Sequence, residues 1–176
     1  MTKDQQKMSN GMKQHQKHIE SIMALIRTRD EQEFVQEAVS MLERSVNQPT
    51  TFGKIIQSRV PEHCAHAMNR VFEDEALKGN TEQLRKFLET LKKSIGAMRV
   101  LTLDIAFSPS EKDIDAINSW VVGNVGSDVV LDFTHDATIG GGAKIMFEGR
   151  YTEKTLRQKI EQVFEKERER ILQTIL

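Results

Sequence analysis

The spacing of apolar residues changes near Gly96, and this change constrains the fold more than any other feature. Before it, apolar side chains recur every three or four residues, which is the repeat of one buried face of an α-helix. After it, short runs rich in β-branched and aliphatic residues indicate strands. The sequence therefore predicts an α+β chain, with an antiparallel helical bundle at residues 1–96 and a small α/β domain at residues 97–176.

Five apolar stripes at helical spacing predict five helices in the first half. Proline lacks a backbone donor and disfavours helix in the residue before it, so Pro49 ends one helix and Pro61 opens another. We expect Gly79 to end the fourth helix, Asn80 to cap the fifth and Gly96 to end the fifth. The first dozen or so residues are polar enough to form a frayed tail. The stripes start at Ile19, Phe34, Phe52, Ala65 and Leu84.

The second half is predicted to run β-α-β-β-α. Its strongest helix start is Ser108-Pro109-Ser110-Glu111, where Ser108 is the expected cap and Glu111 reaches back to it. That helix should end near Gly123. The predicted strands are 98–105, 128–133 and 143–147, and the last helix runs from about 152 to 175.

The composition argues against several classes of partner. Lys and Arg number 25 and Asp and Glu number 26 in 176 residues, so there is no net positive field to gather nucleic acid. No stretch approaches the roughly 20 consecutive apolar residues that span a bilayer, and the first residues lack the apolar core of a signal peptide. The single cysteine, Cys64, fits a reducing compartment. We expect no nucleic-acid partner, no membrane insertion, and a cytoplasmic location that is at most peripheral to a membrane.

Residues 136–149, DATIGGGAKIMFEG, contain four of the ten glycines in the chain. A phosphate-binding loop presents backbone donors to an anion at the N-terminus of a following helix. Here the glycines precede a predicted strand, and the spacing of GxxxxGK[ST] is absent. Consecutive glycines instead permit positive φ or a close backbone contact, so a structural turn is the stronger interpretation. On that interpretation, Gly142→Val should weaken folding or assembly.

No arrangement of side chains predicts an active site or a metal centre. Two histidine pairs three residues apart, His15 with His18 and His63 with His66, lack further ligands at fixed spacing and are interpreted as solvated surface residues. The aspartates of the second half show no acid and base arrangement, and no nucleophile motif is present. We predict a protein without catalytic residues, cofactor or metal. Trp120 is predicted to be either a core residue or an exposed interface anchor.

The order of residues around the glycines resembles the delta subunit of F-type ATP synthases, whose mitochondrial counterpart is the oligomycin-sensitivity-conferring protein. That family has a strand, an aspartate, a short apolar link, Gly-Gly, an apolar-x-apolar strand, and an Asp-x-Ser turn that opens the last helix. The resemblance covers about residues 97–164, and the helical half is similar only in general. Gly140 and His135 stand where the family usually has apolar residues. The matching residues are Asp136, Ile139, Gly141, Gly142, Ala143, Ile145, and Glu153-Lys154-Thr155 before Leu156 and Ile160.

The resemblance implies a non-catalytic connector of the peripheral stalk, held at the cytoplasmic face of a membrane. A six-helix N-terminal bundle would grip the alpha subunits of the catalytic head, and the C-terminal domain would join the b-type stalk helices. The connector would resist rotor torque during proton-driven ATP synthesis. Its structural turn would comprise Asp136, Ile139, Gly141 and Gly142. The candidate contacts to a stalk helix are Ile145, Leu156, Ile160 and Phe164, which alternatively pack the last helix on its own sheet.

Two other functions remain compatible with the sequence. The E-type stalk subunit of V/A-type ATPases also ends in a small α/β domain with a Gly-Gly turn. It begins, however, with one long helix that Pro49 and Pro61 would interrupt. The enzyme-class alternative is a small protein that binds phosphate or a nucleotide through Gly140 to Gly142. A compact scattering profile would exclude the first alternative, and calorimetry with ATP and GTP tests the second.

Overall fold

The computed structural model describes residues 14–73, 80–162 and 165. Over these residues the chain forms seven α-helices and one four-stranded mixed sheet, so the predicted mixture of helix and sheet is confirmed. A short 3-10 helix, Pro49–Thr51, precedes the third α-helix. The elements are α1 (14–23), α2 (Arg29–Arg44), α3 (Phe52–Arg59), α4 (Glu62–Glu73), α5 (Thr81–Gly96), β1 (Arg99–Ile105), α6 (Glu111–Asn124), β2 (Val129–His135), β3 (Gly142–Phe147), β4 (Arg150–Thr155) and α7 (156–162).

Side chains at two helix starts satisfy backbone donors that the helix itself leaves free. The Asn80 side chain accepts from the backbone N of Gln83 at 3.0 Å, so its predicted capping role at α5 is confirmed. Thr28 caps α2 in a reciprocal capping box with Glu31. α5 ends at Gly96 as predicted, although the cap residue is Ala97 with negative φ.

The start of α6 differs from the prediction, because the cap is Ser110 and not Ser108. The Ser110 hydroxyl accepts from the backbone N of Asp113 at 3.4 Å, and the Asp113 carboxylate accepts from the backbone N of Ser110 at 2.9 Å. The Ser110 hydroxyl also donates to that carboxylate, which lowers the pKa of Asp113. Both serines have an acidic residue three positions later, so the sequence pattern alone does not separate them.

The larger apolar core lies among α1 to α5. The Gln32 side chain is 8% exposed and donates to the carbonyl oxygen of Ile95 at 2.6 Å, which ties α2 to the end of α5. Because both groups are buried, each needs this partner to offset the loss of water. The fully buried side chains of this core include Ile22, Val35, Leu42, Ile56, Met68, Leu88, Leu91 and Ile95.

The sheet has the order β2-β1-β3-β4, with β1 and β2 parallel and the other neighbours antiparallel. α6 forms the crossover between β1 and β2, and Val121 of α6 packs on one face of the sheet. Val129 and Leu131 of β2 belong to this second core, whereas Val130 belongs to the core of the helices. Because successive strand residues point to opposite faces, β2 contributes to both cores.

The strand β4 is absent from the sequence prediction, which wrongly placed Thr152 in the last helix. Glu148 and Gly149 have φ of 49° and 74°, as a two-residue type I′ hairpin turn requires, and β4 then pairs with β3. The Arg150–Thr155 segment has one aromatic residue and no aliphatic one, so pairing with β3 rather than apolar alternation makes it a strand. The second half is therefore β-α-β-β-β-α, and its last helix begins at residue 156.

Three predictions lie outside the described residues: the polar N-terminal tail, the helix end at Gly79, and most of the last helix beyond residue 162. In the part of the chain that the structure does describe, no helix has the length and apolar character needed to cross a membrane.

The only cysteine of the chain lies in the core of the helices. Cys64 is 0% exposed, and its Sγ lies 3.5 Å from the carbonyl oxygen of Leu25. Burial raises the pKa of the Cys64 thiol to about 12, and the nearby Glu31 carboxylate adds to the effect. A thiol in this environment is both sterically shielded and protonated at neutral pH.

We expect Cys64 to react with a disulfide reagent such as Ellman's reagent at least about 100-fold more slowly in the native protein than in guanidinium chloride, because only the exposed thiolate is nucleophilic. The absorbance of the released thiolate measures both rates at the same pH. A native rate close to that of the unfolded chain would contradict the burial of Cys64.

Candidate docking site at the glycine turn

Three consecutive glycines join β2 to β3, and all three have positive φ. The values are 69° for Gly140, 148° for Gly141 and 87° for Gly142, which side chains with a β-carbon rarely adopt. A short 3-10 helix, Ala137–Ile139, precedes them, and the chain then enters β3 directly. Since a strand follows the glycines, the turn lacks the helix dipole of a phosphate-binding loop.

Asp136 fixes the entry to this turn. Its Oδ1 accepts from the backbone N of Thr138 at 3.0 Å and from the Thr138 hydroxyl at 2.5 Å. Its Oδ2 accepts from Nζ of Lys144 on β3 at 3.2 Å. The Thr138 hydroxyl is the main cause that holds the pKa of Asp136 below its usual range, and Lys144 adds to it. The carboxylate therefore acts as a structural acceptor that joins the two ends of the turn.

Gly142 and Gly141 lie against the segments that follow the turn. A β-carbon at Gly142 would lie 2.0 Å from the carbonyl oxygen of Lys154 on β4, which is backbone and cannot move aside cheaply. A β-carbon at Gly141 would lie 3.6 Å from Cβ of Leu156, and the Gly141 carbonyl accepts from the backbone N of Leu156 at 2.8 Å. The turn thus holds the first residue of α7 in place.

A buried threonine caps α7. Thr155 is 1% exposed, and its hydroxyl accepts from the backbone N of Gln158 at 3.1 Å. The same hydroxyl donates to Oε1 of Glu153 at 2.8 Å and is the main cause of the lowered pKa of Glu153. Glu153-Lys154-Thr155 therefore leads from β4 into the last helix.

The predicted contact residues have different surroundings. Leu156 and Ile160 are 49% and 46% exposed, and they lie one helical turn apart on α7. Ile145 is partly buried and packs against the core between the sheet and α6, so it supports the fold. Ile139 of the turn is 1% exposed. Phe164 lies outside the described residues. The structure thus brings together the turn, Leu156 and Ile160.

Sequence reasoning missed a second exposed apolar pair, at the end of β3 away from the glycine turn. Met146 on β3 and Tyr151 on β4 are direct cross-strand partners and are 51% and 59% exposed. The pair could not be predicted from the sequence because β4 itself was not predicted. The Glu148-Gly149 turn was the sequence signal for β4. Trp120 on α6 is 61% exposed, which favours the predicted interface anchor over the core residue.

The remaining candidate sites are the histidine pairs and an open cavity among the helices. Within residues 14–73, 80–162 and 165, no three His, Cys, Asp or Glu side chains are grouped to hold a metal ion. His66 is exposed, but His63 is partly buried, with Nε2 3.0 Å from the carbonyl oxygen of Leu25, so the prediction of a solvated surface residue is wrong for His63. An open cavity of about 390 Å³ lies away from the glycines and is lined by Phe34, Glu37, Ser58, Arg59, Val60 and Pro61.

No protein-family model matches the chain, and no curated protein matches it.

Gly142→Ala should lower the free energy of unfolding by about 2–4 kcal/mol, because the β-carbon combines strained φ with a clash against backbone. Gly142→Val should be more damaging. Chemical denaturation followed by circular dichroism measures the change.

The matched control for that measurement is Gly123→Ala in α6. A β-carbon at Gly123 meets nothing within 4 Å, and alanine favours helix over glycine. We expect unchanged or increased stability of up to about 1 kcal/mol for this variant. Equal effects of the two substitutions would contradict the close contact assigned to Gly142.

The titration of Asp136 tests the hydrogen bonds of the turn. Because its pKa is lowered in the folded state, its contribution to stability is present above the pKa of the unfolded chain and is lost as pH falls through the folded value. Thr138→Val should raise the pKa of Asp136 more than Lys144→Met does, since the Thr138 hydroxyl is the larger cause. Carboxyl NMR against pH measures both shifts, and the reverse order would contradict this assignment.

Proposed function

We propose that this chain is a non-catalytic connector of the peripheral stalk of an F-type ATP synthase, of the delta-subunit kind. It links the alpha subunits of the catalytic head to b-type stalk helices and resists rotor torque. In this proposal the chain is peripheral to the cytoplasmic face of the membrane and uses no cofactor.

The single observation that carries the proposal is the exposed apolar pair Leu156 and Ile160 on a helix that starts at the glycine turn. A helical partner is recognised through apolar side chains spaced by three, four or seven residues. Both side chains are about half exposed, and the hydrogen bond from Leu156 to Gly141 positions the first of them. An anchored apolar pair loses less conformational freedom on binding than a pair on a mobile segment.

The arrangement of the rest of the chain supports the same proposal. A helical bundle comes first, and a small domain with the Asp136 to Gly142 turn follows, which is the order that the family resemblance implies. The helices offer a second surface, where Phe34 is 53% exposed beside the open cavity at Pro61. Two separate surfaces are what a connector between two partners needs.

Co-purification from native membranes tests the proposal. Tagged protein should bring down both alpha and b subunits, and the double variant Leu156→Ala with Ile160→Ala should recover at least about 10-fold less b, because interface anchors dominate binding. Recovery of alpha and the melting temperature should stay unchanged.

Lys159→Ala is the matched control on the same helix, because Lys159 is exposed and carries no part of the apolar pair. This variant should recover both subunits at the level of the unmodified protein. If the unmodified protein brought down neither alpha nor b, the connector function would be wrong. If the double variant retained b, the assignment of Leu156 and Ile160 would be wrong.

A further inference from the structure

A short segment between α1 and α2 extends the edge of the sheet. We call Arg27, Thr28 and Arg29 the strap. The backbone N of Leu131 on β2 donates to the Arg27 carbonyl at 2.9 Å, and Thr28 pairs with Leu131 as a parallel β-bridge. Residues of the helical half therefore occupy the outer edge of β2, which would otherwise present unpaired backbone groups.

The Arg27 side chain connects three parts of the molecule. It is 15% exposed and donates to Oε1 of Glu31 on α2 at 2.5 Å. Its other terminal nitrogen lies 2.7 Å from Asp115 and 3.0 Å from Glu111, which are both on α6. The Glu31 carboxylate also accepts from the backbone N of Arg27 at 2.7 Å. One guanidinium thus ties the strap to α2 in the first half and to α6 in the second.

The apolar contacts across the same junction are continuous. Val130 of β2 is 0% exposed and packs in the core of the helices, and Val100 of β1 packs beside that core. On the opposite face of β2, Val129 and Leu131 are 1% and 0% exposed in the core under α6. If the two halves separated, Val130 and the outer edge of β2 would both meet water, at a cost in apolar burial and in hydrogen bonds.

We propose that the strap and the shared strand β2 lock the helical half and the α/β half into one rigid, cooperatively folding body. The two halves do not move as hinged domains, and the surfaces of the first half keep a fixed orientation relative to α7. The consequence for a connector rests on the proposed function: the lock sets the angle between its two partners and carries force between them.

Two spectroscopic probes on the isolated full chain test the lock. Trp120 is the only tryptophan and reports on α6 in the second half, whereas far-ultraviolet circular dichroism reports mainly on the helices of the first. Leu91→Ala removes a side chain from the core of the helices, and Val121→Ala removes one from the core under α6. One cooperative body predicts that each variant lowers both melting curves by the same amount. A shift of one curve without the other would overturn the proposal.

The variant Arg27→Met tests the strap, and Lys86→Met is its control. Lys86 forms an ion pair with Glu82 in which the side chains are 73% and 79% exposed. Arg27→Met should lower the melting temperature by several degrees and Lys86→Met should leave it almost unchanged. Equal effects of the two variants would overturn the role of Arg27.

Hydrogen exchange gives a readout that does not require a variant. The amide of Leu131, which donates across the junction, should exchange as slowly as that of Leu88 in the core of the helices. Exchange more than about 100-fold faster at Leu131 would show that the strap opens on its own and would overturn the lock. All three measurements use the protein without partners, so their failure is distinct from failure of the connector function.

Discussion

The partly buried ion pair between Arg27 and Glu31 is the interaction on which the junction of helices and sheet depends. The two side chains are 15% and 11% exposed, so both charges are largely removed from water. Loss of the Arg27 side chain would leave the Glu31 carboxylate with its backbone donors but without the guanidinium, in a place with little access to water. Asp115 and Glu111 on α6 share the same guanidinium. The geometry of the first helical turn of α2 is therefore tied to the position of α6, far along the chain.

The glycine turn brings backbone segments into close contact. Gly142 places β3 against the carbonyl of Lys154, and Gly141 receives the first backbone donor of α7. Asp136 closes the other end through Thr138 and Lys144. The backbone N of Asp136 also donates to the carbonyl oxygen of Ile105 on β1 at 2.9 Å. Because the turn contacts β1, β4 and the first residue of α7, the helix that carries Leu156 and Ile160 starts at a fixed place on the sheet.

Local patterns predicted the elements whose apolar residues repeat strongly, such as α2, α5 and β1, and the cap at Asn80. The prediction failed at β4, because Arg150–Thr155 has no apolar alternation and becomes a strand by pairing with β3. It also chose Ser108 over Ser110, since both fit one capping pattern. For the candidate site, the sequence located the turn but began the last helix at about residue 152, within what is the strand β4. It did not reveal the exposed pair Met146 and Tyr151, which exists only once β3 and β4 are in register.

Helix period, caps and glycine conformations are local properties, so the amino-acid order is enough to place the change from helices to sheet near Gly96 and the glycine turn. How the two halves meet depends on contacts that form in the folded chain. Val130 points to the core of the helices while its neighbours Val129 and Leu131 face α6, and Arg27 finds its carboxylate partners on two separate helices. Those choices depend on contacts between residues about 100 positions apart, such as the bond from Leu131 to Arg27, and no local pattern encodes them.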